Sequence, residues 1–235
     1  MIVKCAWEHN GGDTLLYAVN YPGAYTRGAG KELAMEKMPG ELLSYLRWSG
    51  EPTPQGFEIE IVQEKDSGLQ IADADSDIIF EEERAPLPEQ EYLRLKALAL
   101  KSAKDFHALY ASIPDKNASG LPERSTFYGP IPRTAQEMYE HTKNVNSYYF
   151  GEIGVDADNE GTILLCRQKG FERLEQSGGF LQAPALLGSY GEWWSVRKVL
   201  RRFIWHDRIH AKAMFRMAER TFGKGVVKNP FQFEG

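Results

Sequence analysis

The chain has 235 residues, 42% of them hydrophobic and 12% aromatic, enough apolar side chain for one large core or two modest ones. Its formal net charge of −5 at pH 7 argues against a nucleic-acid binder along the whole length. No run approaches the roughly 20 apolar residues that a membrane span needs. The two cysteines, Cys5 and Cys166, lie far apart without a partner pattern, which fits a reducing cytosol and gives no disulfide framework. Residues 1–8 lack the apolar core of a signal peptide, so the expected location is cytoplasmic.

Residues 1–85 read as a small α+β module. Residues 2–7 and 14–20 have strand character around a Gly11-Gly12-Asp13 turn, and Tyr21-Pro22-Gly23 breaks the second strand before Tyr25 and Thr26 extend it. Helical periodicity follows over 31–47, through Leu33, Met38, Leu42, Leu43, Tyr45 and Leu46, with Pro39 expected to kink the helix or start a new turn. Strands are expected at 57–63, where Phe57, Ile59 and Ile61 alternate strictly, and at 77–82. The spacing Asp73-x-Asp75-x-Asp77 starts like a calcium loop, but Ile78 stands where such a loop requires glycine. Arg84-Ala85-Pro86-Leu87-Pro88, closing an acidic run, marks the expected boundary.

Residues 89–235 read as helical. A first helix over 89–112 carries Leu93, Ala97, Leu100, Ala103, His107 and Tyr110 along one stripe, which leaves open whether His107 joins a pocket. A Gly/Pro-rich loop precedes a helix that Thr134 and Glu137 open as a capping box, and this helix carries His141 in line with Met138, Val145 and Tyr148. A third helix spans about 160–177 and stops at Gly178-Gly179. Asp156-x-Asp158-x-Glu160-Gly161 before it resembles an EF-hand start, but Arg167 fills the position of the bidentate Glu, so it reads as an acidic interhelical loop. The fourth helix, about 192–221, bears His206 and His210, four apart on a face with Val196, Val199, Phe203, Ala213, Met214 and Met217.

Three imidazoles turned inward from two helices suggest a tri-histidine metal site, His141, His206 and His210, with an open position. The bland alternative is three separate core histidines satisfied by hydrogen bonds. Zn²⁺, Ni²⁺ or Fe²⁺ would each suit such a donor set. Around it, Glu137 and Asp207 are candidates for outer partners or for plain exposure, with exposure favoured for Asp207. Tyr148, Trp193, Trp194 and Trp205 are candidates for pocket walls or core packing. The basic residues Arg197, Lys198, Arg201, Arg202, Arg208 and Lys212 read as a solvated face opposite the histidines, with Arg197 or Arg201 placed to hold an anionic ligand at the pocket border.

Two resemblances add expectations. Gly12-Asp13-Thr14-Leu15-Leu16-Tyr17, Tyr21–Gly28 and the helix ending Glu41–Leu46 resemble the HicB antitoxin fold over roughly residues 1–63. No DNA-binding module follows, so this implies a module for docking, dimerisation or covering a pocket. Thr134–His141 and Val199–His210 resemble the ligand-bearing segments of the DinB/YfiT-like superfamily of metalloenzymes, whose three ligand positions are all histidine here. That resemblance implies an all-α four-helix bundle over 89–235, one divalent metal ion, and a small-molecule substrate. It implies transfer of a low-molecular-weight thiol to a small electrophile, with metal-hydroxide hydrolysis as another use of the same site. The alternative of a different kind is a non-catalytic stress-response or interaction protein with a structural metal. No nucleic-acid or membrane partner is expected, and a homodimer is compatible with the sequence.

Overall fold

The computed structural model describes residues 1–126 and 129–234. The first hairpin is β1 (Ile2–Asn10) and β2 (Asp13–Ala18), antiparallel with Cys5 opposite Ala18, and β3 (Tyr25–Gly28) pairs with the far edge of β2. The helix α1 (Lys31–Ser49) then carries the chain back so that β4 (Glu58–Asp66) lies parallel to β1, giving the order β3-β2-β1-β4. Strand alternation sends successive residues to opposite faces. Val3, Cys5, Leu16 and Ala18 pack with Ala34, Met38 and Leu42 of α1. Leu15 and Tyr17 face the other way, toward Ile71, Ile78, Phe80 and Trp205.

The helix α1 runs on through Pro39 as one element, Lys31–Ser49. The segment 77–82 forms no strand: residues 75–80 are irregular and Glu81–Arg84 make a 3₁₀ turn in which Glu83 accepts from Phe80 N.

The remaining helices are α2 (Glu89–Ser112), α3 (Ala135–Gly151), α4 (Ile163–Gln176) and α5 (Val196–Phe222). Thr134 caps α3 reciprocally with Glu137, and Thr162 and Ser195 cap α4 and α5. The segment 89–234 is not the expected all-α bundle. Besides helices it holds the ribbons β5 (Ser125–Thr126) with β6 (Gly129–Pro130), and β7 (Leu186–Leu187) with β8 (Trp193–Trp194). Among the described residues the chain is therefore mixed α/β, with five α-helices and eight short strands. The reason is local. Tyr190 and Gly191 take positive φ, 61° and 73°, and so fold 186–194 back on itself instead of letting it enter α5.

The stripe buried by α2 is Tyr92, Leu95, Ala99, Ala103, Phe106 and Leu109, rotated from the expected one, and Leu93 is exposed. One continuous core runs from Val3 and Leu42 through Leu95, Phe106 and Phe150 to Phe203 and Phe231, joining the sheet half to the helical half. Among the described residues no helix is long and apolar enough to cross a membrane.

The helix α5 is buried on nearly every side, and this overturns the reading of its basic residues as a solvated face. Lys198, Arg201 and Arg208 are almost fully buried. Arg197 is held by Glu91, Arg201 by Glu83, Lys198 by Glu192, and Arg208 and Lys212 by Glu41 of α1. Burial opposes ionisation of Glu41, but Arg208 and Lys212 more than offset it and hold the carboxyl below its usual range. A turn of the sheet half also sits directly on α5. At Gly23, where φ is +98°, an added Cβ would lie 2.4 Å from the Ile204 side chain.

Glu41→Gln leaves Arg208 buried without its counter-charge, so the variant is expected to lose about 3–5 kcal/mol of stability at neutral pH. Because the folded carboxyl titrates lower than the unfolded one, this contribution is fully present above the unfolded value near 4.5 and fades as pH falls through the folded value. Denaturant unfolding of both proteins across pH 3–8 should show the gap closing only on the acid side. A gap that is constant with pH would mean the carboxylate charge is not what matters.

Candidate metal centre

The three histidines meet. Their ring centroids are 5.2 Å apart for His141 and His206, 4.6 Å for His141 and His210, and 4.4 Å for His206 and His210. One ligand nitrogen from each falls within a group no wider than 4.8 Å. His206 Nε2 and His210 Nε2 lie 3.2 Å apart. Two nitrogens bound at about 2.0–2.1 Å to one tetrahedral ion stand about 3.4 Å from each other, so the pair already has the spacing of a shared ion.

Placement follows from the helices. His206 and His210 leave α5 one turn apart on one face. His141 comes across from α3, two turns after its Thr134 cap. Tyr149 of the same helix lies edge-on to His206, centroids 6.0 Å apart, and stacks obliquely on Phe203.

The electrostatics favour neutral rings. Burial lowers all three pKa values; for His206 the neighbouring His210 and His141 add to this, then Arg202, and His210 is pushed down to about 3. Neutral imidazole is the form that offers a lone pair to a metal. The alternative of three separately satisfied core histidines fits poorly, because among the described residues His206 Nδ1 is buried without a hydrogen-bond partner. Three neutral nitrogen donors, with no fourth His, Cys or carboxylate among the described residues in the group, match an open site for a divalent ion.

That open side faces a cavity of about 1490 Å³. Tyr148, Tyr149, Arg202, Trp205 and Ile209 surround the histidines in its wall, Tyr190 of the 186–194 ribbon lies at its edge, and Tyr25, Thr26, Ser76 and Asp77 close it from the sheet half. Of the expected wall residues Tyr148 and Trp205 are present. Trp194 packs behind them against Tyr148 and Tyr149, and Trp193 is partly exposed and does not line the cavity.

Other expected residues fall elsewhere. His107 pairs with the Tyr139 hydroxyl at 3.2 Å and does not line the cavity. Glu137 is occupied in its cap, accepting from the backbone of Arg133 and Thr134. Asp207 is the clear correction: it is fully buried, not exposed, paired with Arg167 at 3.2 Å and accepting from Ser102. Arg167, which displaces the EF-hand Glu, therefore serves the core and not the loop. Arg197 and Arg201 are both consumed by carboxylates and do not line the cavity. Arg202 does line the cavity beside the histidines, as 202, 206 and 210 recur every four residues along one helix face, and Lys212 and Arg216 line it further along α5. The cysteines are both buried and unpaired; burial pushes the Cys5 thiol up to about 12, and Cys166 donates to the Glu160 carbonyl.

The chain matches no family model, no curated protein and no solved structure.

Protein loaded with Zn²⁺, Ni²⁺ or Co²⁺ and desalted should retain close to one ion per chain. His141→Ala and His206→Ala should each lose it, because two imidazoles make a poor site. His107→Ala should bind like the parent. Elemental analysis decides, and equal metal content in all four proteins would remove the assignment.

Proposed function

We propose that this chain is a metal-dependent enzyme that holds one divalent ion on His141, His206 and His210 and activates a small thiol for attack on an electrophile in the adjoining cavity. The observation that carries the reading is the direction of the site: three neutral imidazoles converge at the wall of a large open cavity, and no fourth protein ligand closes the group among the described residues. A purely structural ion is normally enclosed by four protein ligands, whereas a catalytic one keeps a position free.

A divalent ion on three neutral ligands supplies Lewis acidity, lowering the pKa of a thiol or a water on its free side. The protein's own residues do the rest. Burial, then Glu192 and Glu152, push the Tyr148 hydroxyl above its usual range. Burial does the same for Tyr149 against the pull of Arg202. Both phenols therefore stay protonated at neutral pH and serve as donors toward a bound substrate, not as bases. The Glu192 carboxylate in the same wall is engaged by Lys198 Nζ at 2.8 Å. Trp205 and Ile209 add apolar surface to the wall beside the histidines.

In this reading the helices from residue 89 onward are a diverged member of the DinB/YfiT-like metalloenzymes. The sheet half is a HicB-like module put to use as one wall of the pocket, which is supported by Tyr25, Thr26, Ser76 and Asp77 facing the cavity.

Cobalt-loaded protein should develop a thiolate-to-metal charge-transfer band on addition of 2-mercaptoethanol, absent from His210→Ala. Transfer of the thiol to 1-chloro-2,4-dinitrobenzene should exceed background only in the metal-loaded protein. If no thiol among several perturbs the cobalt spectrum while ester or amide hydrolysis depends on the metal, water is the activated nucleophile and the transferase reading fails. If neither activity appears, the ion is structural.

A further inference from the structure

The basic residues of α5 separate into two kinds. Arg197, Lys198, Arg201, Arg208 and Lys212 each have a carboxylate within ion-pair distance. Arg202 has none among the described residues, although it is half-buried and its Nε is enclosed by protein. One of its terminal nitrogens donates to the Ser76 carbonyl at 2.8 Å, and its Nε is buried with no partner. Its guanidinium is set among three rings, with centroids 4.9 Å away for Trp205, 5.4 Å for Tyr149 and 5.7 Å for Trp194. Such packing fixes a planar fork in place at little further entropic cost. Two carboxylates of the same cavity wall are engaged elsewhere, Glu192 by Lys198 and Asp77 by Lys65. A cation enclosed by protein without an ion-paired carboxylate is costly to keep; Glu192 acts on Arg202 only through space, and Arg202 lines the cavity four residues, about one helical turn, before His206.

We propose that Arg202 is the oxyanion-binding residue of this pocket, so that the molecule bound beside the histidines carries a carboxylate or a phosphate as well as the group that meets the ion. This rests on the metal-dependent reading for its second half only; the anion site itself needs no metal. The fork of Arg202 takes two oxygens of a carboxylate or phosphate side by side, a geometry that lysine cannot reproduce. With the hydroxyls of Tyr148 and Tyr149 as further donors at the same wall, the substrate is held at its charged end while its other end lies at the imidazoles. Arg202 is thereby a specificity-determining residue, selecting anionic over neutral molecules of the same size.

Two measurements test it, on wild type, Arg202→Gln and Arg202→Lys, with circular dichroism to confirm that each variant folds. In the first, metal-free protein is titrated with malonate and with methylphosphonate by NMR, with acetamide as the neutral control. Wild type should bind one or both anions, Arg202→Gln should bind at least tenfold more weakly, Arg202→Lys should fall between, and acetamide should not respond. In the second, cobalt-loaded protein is titrated with 3-mercaptopropionate and with 2-mercaptoethanol. Wild type should favour the carboxylated thiol about tenfold or more, and in Arg202→Gln the ratio of the two affinities should fall toward one. Should cobalt report no thiol at all while the metal-free titration behaves as described, the thiol reading fails and the anion site stands. Anion binding that is equal in wild type and a folded Arg202→Gln overturns the site.

Discussion

The structure is organised by the ion pairs that meet the buried charges on α5, Arg202 being the exception. This helix lies between the sheet half and the other helices, so its cations Lys198, Arg201 and Arg208 are shut off from bulk water. An ion pair in such a place adds little net stability, because desolvation consumes most of the attraction, but a missing partner is punished heavily. The consequence is positional. Glu91 fixes the start of α2, Glu83 the 3₁₀ turn before it, Glu41 the face of α1, and Glu192 the ribbon 186–194. Asp207 inverts the pattern, an acid on α5 met by Arg167 of α4. Five separate segments are thus registered on a single helix by charges that have no other acceptable place.

That registration is what makes a precise site out of weakly held side chains. A histidine in a metal centre usually donates its second ring nitrogen to a carboxylate or carbonyl, which sets its orientation. His206 lacks such a partner. Its ring is oriented by packing against Tyr149, His141 and His210, and by a helix whose rotation is pinned on the opposite side by Arg201 and Arg208. Rigidity of the backbone stands in for an outer hydrogen bond.

How much of this could be read from the sequence depended on whether the signal was local. Helix ends were legible because caps are chemical and short-range: Thr134 with Glu137, and Gly178-Gly179 after α4. The pairing of His206 with His210 was legible because i, i+4 spacing fixes a shared face whatever surrounds the helix, and the turn signals at Gly11-Gly12 and Gly23 located the turns between β1, β2 and β3. What failed needed knowledge of the surroundings. The basic residues of α5 look alike in a helical projection, and only the position of Glu41, Glu83 and Glu91 in space separates a solvated face from a buried one. Asp207 was misread for the same reason. On α2, the stripes through Leu93 and through Tyr92 both fit a 3.6-residue period, and the choice between them belongs to α4 and α5. The ribbons at 125–130 and 186–194 have strands of two residues, too short to show alternation, so an all-α segment was expected where a mixed one forms.

The position of Arg202 gives the site a further property that follows from charge alone. Its guanidinium already helps to keep His206 neutral, which favours metal binding by leaving the lone pair free. Yet a divalent ion on three uncharged ligands keeps its whole charge, and that charge then faces a fixed cation across an enclosed wall, where screening is weak. The two effects oppose each other: Arg202 helps to prepare the ligands and repels what they bind. An anion seated on Arg202 removes the repulsion, while burial and the neighbouring His210 and His141, the larger causes, still keep His206 neutral. Occupancy of the two positions is therefore coupled with positive sign, and thermodynamic linkage makes the coupling reciprocal: an anion tightens the ion by the factor by which the ion tightens the anion. With an ion on the three histidines and an anion on Arg202, as proposed, such a pocket would hold the ion most firmly when the anion is present, and the arginine is the part of the structure that would impose it.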